Sequence, residues 1–132
     1  MKVSEIRVLY ADTDQMGVVN NVNYLRWFEI GRAEWLRARG KSYKEIEASG
    51  CQLPVVEANL RYHAPARYDD ICEIFAAPSN VRAASAVFDY QITRKSDGQK
   101  LVSGSTRHAC IDGSGRVRRF PEELVALLNK ED

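Results

Sequence analysis

At 132 residues the chain is long enough to bury one core and too short for two comfortable ones, so residues 1–132 are expected to form a single domain. Its 45% hydrophobic and 28% charged content excludes a disordered chain. Nineteen basic against eighteen acidic residues leave a net charge of +1, which excludes a one-signed field that would advertise nucleic acid or an anionic membrane as partner.

Met1 to Asp14 carries alternating polar residues and early acids instead of a charged stub and an unbroken apolar run, so no signal peptide is expected; no stretch reaches transmembrane length. Cys51, Cys72 and Cys110 are odd in number and far apart in sequence. They fit reduced core thiols in the cytoplasm better than a disulfide framework or a zinc site, and no metal or cofactor is expected.

Val3 to Tyr10 reads as a strand, rich in β-formers with an imperfect alternation. Ala11 to Asn23 then crowds Asp12, Thr13, Asp14, Gly17, Asn20, Asn21 and Asn23 into a span that suits turns and caps. With Asn23 as N-cap, a helix is predicted from Tyr24 to about Arg39. Tyr24, Phe28, Gly31 and Trp35 recur at helical spacing, Leu25, Trp27, Leu36 and Ala38 widen that face, and Gly40 ends it. Ser42 with Glu45 caps a second short helix, about Ser42 to Ala48, closed by Gly50.

Four strand-like runs follow: Leu53 to Tyr62, Ile71 to Ala77, Ala84 to Arg94 and Lys100 to Ile111. Asp97-Gly98 supplies a hairpin turn between the last two, and a terminal helix runs from Pro121 to Asn129. One wide-faced helix followed by a meander of strands predicts an α+β layer with the sheet wrapped around the helix.

The Asp14 loop is the candidate for chemistry. A carboxylate just before a helix N-terminus lies near free backbone N–H groups and the positive end of the dipole, an arrangement suited to a developing oxyanion. Asp14 would activate water or attack a carbonyl directly, while N–H groups near Asn21 and Val22 polarise its oxygen. The other reading makes Asp12 and Asp14 turn and capping acids only.

The segment Tyr10-Ala11-Asp12-Thr13-Asp14-Gln15-Met16-Gly17-Val18-Val19-Asn20-Asn21-Val22-Asn23-Tyr24 resembles the signature loop of the 4-hydroxybenzoyl-CoA thioesterase family, which includes the Tol-Pal-associated acyl-CoA thioesterases. Leu25-Arg26-Trp27-Phe28-Glu29 with Arg32, Glu34 and Trp35 is similar to that family's central helix, and Tyr62-His63-Ala64-Pro65-Ala66-Arg67-Tyr68-Asp69-Asp70 to the joint before its third strand. The resemblance implies a hot-dog fold, with a long central helix wrapped by an antiparallel sheet. It also implies hydrolysis of an aryl or short-to-medium-chain acyl-CoA, at sites on the interface of a homodimer or homotetramer. The family's catalytic aspartate falls on Asp14, its polarising backbone amide on Asn21, and Gly17 gives the loop its turn. Tyr10, Gly17, Val18, Val22, Tyr24 and Phe28 are expected to bind the substrate.

Two departures stand out. Many Tol-Pal-type members carry histidine where this chain has Asn21, and an amide does not shuttle protons near neutrality; the benzoyl-type members also lack that histidine. Arg82 aligns with one arginine of the benzoyl-type enzymes' cluster for coenzyme A, but Ala83 and Ala84 stand where two further cations would be. Arg116, Arg118 and Arg119 form a second candidate patch for the phosphates, or else a solvated basic turn.

His63 and His108 lie far from the Asp14 loop in sequence, without a nucleophile elbow or metal spacing, and are read as structural or surface residues. Cys51 lacks a catalytic signature, and Glu29 and Glu34 are read as helix-surface ion-pair partners. Two other functions share the fold: a non-catalytic acyl-CoA-binding dimer, and a hydratase or dehydratase, which requires a histidine facing an acid.

Overall fold

The computed structural model describes residues 1–130. Strand β1 (Lys2–Arg7) leads through a 3-10 turn (Tyr10–Asp12) to the long helix α1 (Val22–Ala38) and the short α2 (Tyr43–Ala48). Strands β2 (Val55–Tyr62), β3 (Ile71–Val81), β4 (Ser85–Arg94) and β5 (Lys100–Ala109) follow, then α3 (Glu122–Asn129). All five strands pair antiparallel in the order β1-β3-β4-β5-β2. The α+β arrangement expected from the element order is therefore present.

Helix α1 lies along one face of this sheet. Tyr24, Trp27, Phe28, Gly31, Trp35 and Leu36 are buried, whereas Leu25 and Ala38 are exposed and do not belong to the packed face. Their apolar character misleads because they lie on the outward arc of the helix. Phe28 stacks on Tyr90 at 4.2 Å and Trp35 meets Phe88 edge-on at 5.6 Å. Gly31 permits this closeness: a Cβ there would lie 2.8 Å from Cγ2 of Ile74. Each large side chain so buried contributes on the order of 1.5–3 kcal/mol relative to exposure.

Several boundaries differ from the sequence reading. The first strand stops at Arg7, and the chain turns at Tyr10–Asp12 because Asp12 folds back onto the Leu9 N–H. Asn21, not Asn23, holds the N-cap position of α1; Asn23 lies inside the helix, buried, with its side-chain amide donating to the Asp12 carbonyl at 3.0 Å. Strand β2 starts at Val55 because the Leu53 carbonyl is taken by side chains, and β5 ends at Ala109, with Ile111 making isolated bridges to Gln52 and Val117. Pro121 is the cap of α3 instead of its first residue. The Ser42–Glu45 capping box and the left-handed Gly40 and Gly50 stand as read.

The three cysteines are all buried free thiols. Cys51 and Cys110, remote in sequence, are brought to 2.8 Å between sulfurs, because one precedes β2 and the other follows β5 and those strands pair. Burial pushes the Cys51 and Cys72 thiols up to about 12, so neither is a thiolate at neutral pH.

A polar chain crosses the core. The Leu53 carbonyl can only accept, so His108 Nδ1–H donates to it (3.0 Å) and Nε2 accepts from the Thr106 hydroxyl (2.8 Å). The Thr106 oxygen then accepts from Tyr90 Oη (2.7 Å), which accepts from Arg32 (3.2 Å). Burial, reinforced by the Arg32 charge and opposed by the Leu53 hydrogen bond, brings the His108 imidazole down to about 4. His108 is a neutral structural residue, as the sequence suggested.

Candidate active site

The Asp14 loop is a narrow hairpin. Thr13 bridges Val19, the Asp14 N–H donates to the Val18 carbonyl at 2.9 Å, and the Gly17 N–H returns to the Asp14 carbonyl at 3.0 Å. Gly17 makes the turn with φ of +79°, a left-handed geometry that glycine adopts without steric cost. The joint before β3 braces the hairpin, with the Val19 N–H on the Ala66 carbonyl at 2.9 Å and a bridge between Val18 and Arg67.

The two acids of this loop occupy different environments. Asp12 is 8% exposed, and its Oδ2 accepts from the Leu9 N–H at 2.8 Å while Arg26 lies 3.6 Å from its Oδ1. Asp12 is a structural capping acid. Asp14 is only half-buried; its Oδ1 accepts from the Met16 N–H at 2.8 Å, and its Oδ2 has no hydrogen-bond partner among the described residues. One oxygen is tied to the backbone and the other is uncommitted among the described residues.

Immediately after the hairpin, α1 begins. The Val22 N–H donates to Asn20 Oδ1 at 3.3 Å and the Asn23 N–H to the Asn20 carbonyl at 3.0 Å. The backbone N–H of Asn21 donates to no atom among the described residues. The positive end of the helix dipole thus presents one uncommitted donor, at Asn21, while the Val22 donor is occupied by a side chain.

A cavity of about 330 Å³ opens at this helix start, lined by Val19, Asn21, Tyr24, Tyr62, His63, Ala64 and Pro65. It is small but within the common range for ligand pockets, about 300–1,000 Å³. The Tyr24 ring forms its inner wall, fixed edge-on to Trp27 at 5.1 Å, and its hydroxyl accepts from the Ala66 N–H at 3.2 Å. Burial raises the Tyr24 phenol above its ordinary range, so it stays protonated. Tyr62, tilted 51° against Tyr24 at 5.7 Å, forms the outer wall.

Of the residues picked from sequence, Asn21 and Tyr24 line this cavity together. Asp14, Gly17, Val18 and Val22 sit on the adjoining hairpin and first helical turn, outside the lining. Tyr10 is 79% exposed, and its ring meets the Tyr68 ring edge-on at 5.7 Å. Phe28 is fully buried with its ring against the sheet and does not reach the cavity, because its position on α1 faces β4. His63, read from the sequence as a structural or surface residue, is exposed and also lines the cavity with Asn21, its Nε2 2.8 Å from the Ser103 hydroxyl; its place there was not legible in the sequence.

The arginines also regroup. Arg82 and Arg119 line one groove of about 450 Å³ with Phe120, Glu122 and Val125. Arg118 points elsewhere, donating to the Gly50 and Arg119 carbonyls at 3.0 and 3.2 Å, and Arg116 stands exposed on the Asp112 turn. Alternation along the chain separates them. Among the described residues, no group of His, Cys, Asp and Glu is arranged to hold a metal ion, and no helix is long and apolar enough to cross a membrane.

The family described as "Thioesterase-like superfamily" matches residues 8–128. The chain is 32% identical over 122 residues to the acyl-CoA thioester hydrolase YbgC of Escherichia coli O157:H7, covering 92% of this chain and 90% of that one. Among solved structures, the hypothetical protein TT1821 from Thermus thermophilus superposes with a TM-score of 0.91 at 37% identity, covering 97% of each chain. Slr0204, a 1,4-dihydroxy-2-naphthoyl-CoA thioesterase from Synechocystis, superposes with a TM-score of 0.87 at 26% identity, covering 95% and 93%.

Proposed function

This chain belongs to the thioesterase-like superfamily, and we propose that Asp14 and the uncommitted amide of Asn21 form the reaction centre of its acyl-CoA thioesterase activity. Its fold is the hot-dog fold, with α1 wrapped by the five-stranded sheet. The observation that carries the proposal is that one short segment, residues 14–21, holds both a half-tied carboxylate and an unoccupied N–H at a helix start.

In this reading the thioester carbonyl oxygen accepts from the Asn21 N–H. The helix dipole stabilises the negative charge that develops there as the carbonyl carbon becomes tetrahedral. Asp14 Oδ2 takes a proton from the attacking water, or itself bonds to the carbonyl carbon and is later released by water. In either route the C–S bond breaks and coenzyme A leaves as the thiol. The acyl group lies in the cavity walled by Tyr24 and Tyr62, whose size favours an aryl or short-to-medium chain. Arg82 and Arg119, in their shared groove, are the cations proposed to meet the phosphates of coenzyme A.

A second copy of the chain is proposed to complete the site. Leu9, Tyr10, Met16, Val22 and Leu25 leave apolar surface exposed around the Asp14 hairpin, and the edge strand β2 exposes Val55, Val56 and Tyr62. An unpaired edge with that composition invites pairing with another sheet. The test is release of free thiol from a panel of aryl, short and long acyl-CoA substrates. Turnover concentrated on aryl or short-to-medium acyl groups supports the reading; no release from any of them overturns it and favours an acyl-CoA-binding dimer.

A further inference from the structure

The chain contains two histidines, and the fold treats them oppositely. His108 is 1% exposed, with both ring nitrogens committed inside the core. His63 stands at the end of β2, exposed, on the wall of the cavity that also presents the Asn21 amide and the Tyr24 ring. Its position is fixed at both levels. Its backbone N–H donates to the Leu101 carbonyl at 2.8 Å, and its Nε2 is held 2.8 Å from the Ser103 hydroxyl on β5. One ring nitrogen is thereby tethered, and the other, Nδ1, has no hydrogen-bond partner among the described residues.

Of the remaining walls, Val19, Ala64 and Pro65 are apolar, Tyr24 Oη is engaged by the Ala66 N–H, and Asn21 and Tyr62 contribute the other polar side chains. An acyl group in this cavity with a hydroxyl or other hydrogen-bonding substituent therefore meets a pre-oriented imidazole, whereas a plain hydrocarbon acyl group leaves the imidazole unsatisfied. A site built to hydrogen-bond a substrate hydroxyl discriminates against the analogue that lacks it, because its polar group is then desolvated without a partner. We propose that His63, oriented by Ser103, is a specificity-determining residue of the acyl pocket and selects acyl groups bearing a hydrogen-bonding substituent. This rests on the thioesterase reading for its turnover readout, and on the cavity geometry alone for its binding readout.

The experiment has two arms. In the first, kcat/KM is measured for benzoyl-CoA and its three hydroxybenzoyl-CoA isomers with the parent protein, His63→Leu, His63→Gln and Ser103→Ala. The parent is expected to favour at least one hydroxylated isomer. His63→Leu should lower that preference by about three- to tenfold, the worth of one hydrogen bond, mainly through KM. His63→Gln, which keeps a donor and an acceptor, should restore part of it, and Ser103→Ala should fall between. The preference is a ratio within one protein sample, so it does not depend on how much of a variant folds. An unchanged ratio in His63→Leu overturns the proposal.

In the second arm the imidazole proton resonances are followed by NMR while hydroxybenzoate isomers or benzoate are added. His63 should shift with a hydroxylated acid and not with benzoate, while His108 stays fixed as internal control. If no thioester is hydrolysed yet this selective shift appears, the thioesterase reading fails and the His63 inference stands. If thioesters are hydrolysed but His63 responds equally to both acids, the inference fails and the thioesterase reading stands.

Discussion

The two ends of α1 show what one helix does for stability and for chemistry. At its C-terminal end Trp35 and Leu36 are each 1% exposed, Arg39 stacks 3.8 Å above the Trp35 ring, and left-handed Gly40 closes the helix. At its N-terminal end the Asn21 amide and Asp14 Oδ2 are uncommitted, and Leu9, Tyr10, Met16 and Val22 face outward. One end buries its side chains, at the cost of a buried Trp35 Nε1–H without a hydrogen-bond partner, and the other leaves its uncommitted polar groups beside exposed apolar surface. Stability and function are therefore expected to separate when each end is altered.

The largest effect should come from the packed end. Trp35→Ala removes a fully buried indole in contact with Phe88 and is expected to cost about 3–5 kcal/mol, read as a lower midpoint in urea unfolding. That is a large share of a typical domain stability of about 5–15 kcal/mol. A loss under 1 kcal/mol would remove the contrast between the ends.

Acid sharpens the same division from within the core. The folded chain resists protonating His108 until about pH 4, whereas an unfolded histidine takes its proton near pH 6.5. Above pH 6.5 neither state binds that proton and the contribution is fully present. As pH falls from 6.5 towards 4, the unfolded state binds more protons and stability drops by up to on the order of 3 kcal/mol. Denaturant titrations at several pH values should show this slope, and His108→Gln should flatten it.

Smaller effects are expected nearer the site. Gly17→Ala places a side chain at φ of +79°, where nothing obstructs a Cβ but the backbone itself is strained, and should cost about 1–2 kcal/mol. Tyr24→Phe deprives the buried Ala66 N–H of its acceptor and should cost about 1 kcal/mol. Thermal unfolding of both variants checks the order; a Tyr24→Phe cost larger than that of Trp35→Ala would invert the account.

Much of this was legible in the sequence where signals are local. The apolar spacing of Tyr24, Phe28, Gly31 and Trp35, the Ser42–Glu45 capping box and the Asp97-Gly98 turn each lie within a few residues, and each forms as read. Contacts set by strand register were not legible. Nothing near Cys51 signals Cys110, and nothing near Asn21 signals His63, because both meetings depend on how β2 lies beside β5 and the start of α1. The distinction between Asp12 and Asp14 was likewise hidden: in sequence they are two turn acids, and only the fold-back of Asp12 onto Leu9 separates the capping acid from the available one. The tie of Arg118 to the Gly50 carbonyl was hidden in the same way, because Gly50 is remote along the chain.

The central claim concerns those two acids, and one paired substitution addresses it: Asp14→Asn and Asp12→Asn, each assayed for thiol release from the preferred acyl-CoA and for thermal stability. The account predicts that Asp14→Asn lowers kcat by about two orders of magnitude or more with the unfolding midpoint nearly unchanged, whereas Asp12→Asn lowers the midpoint. An Asp14→Asn protein that releases thiol as fast as the parent would contradict it.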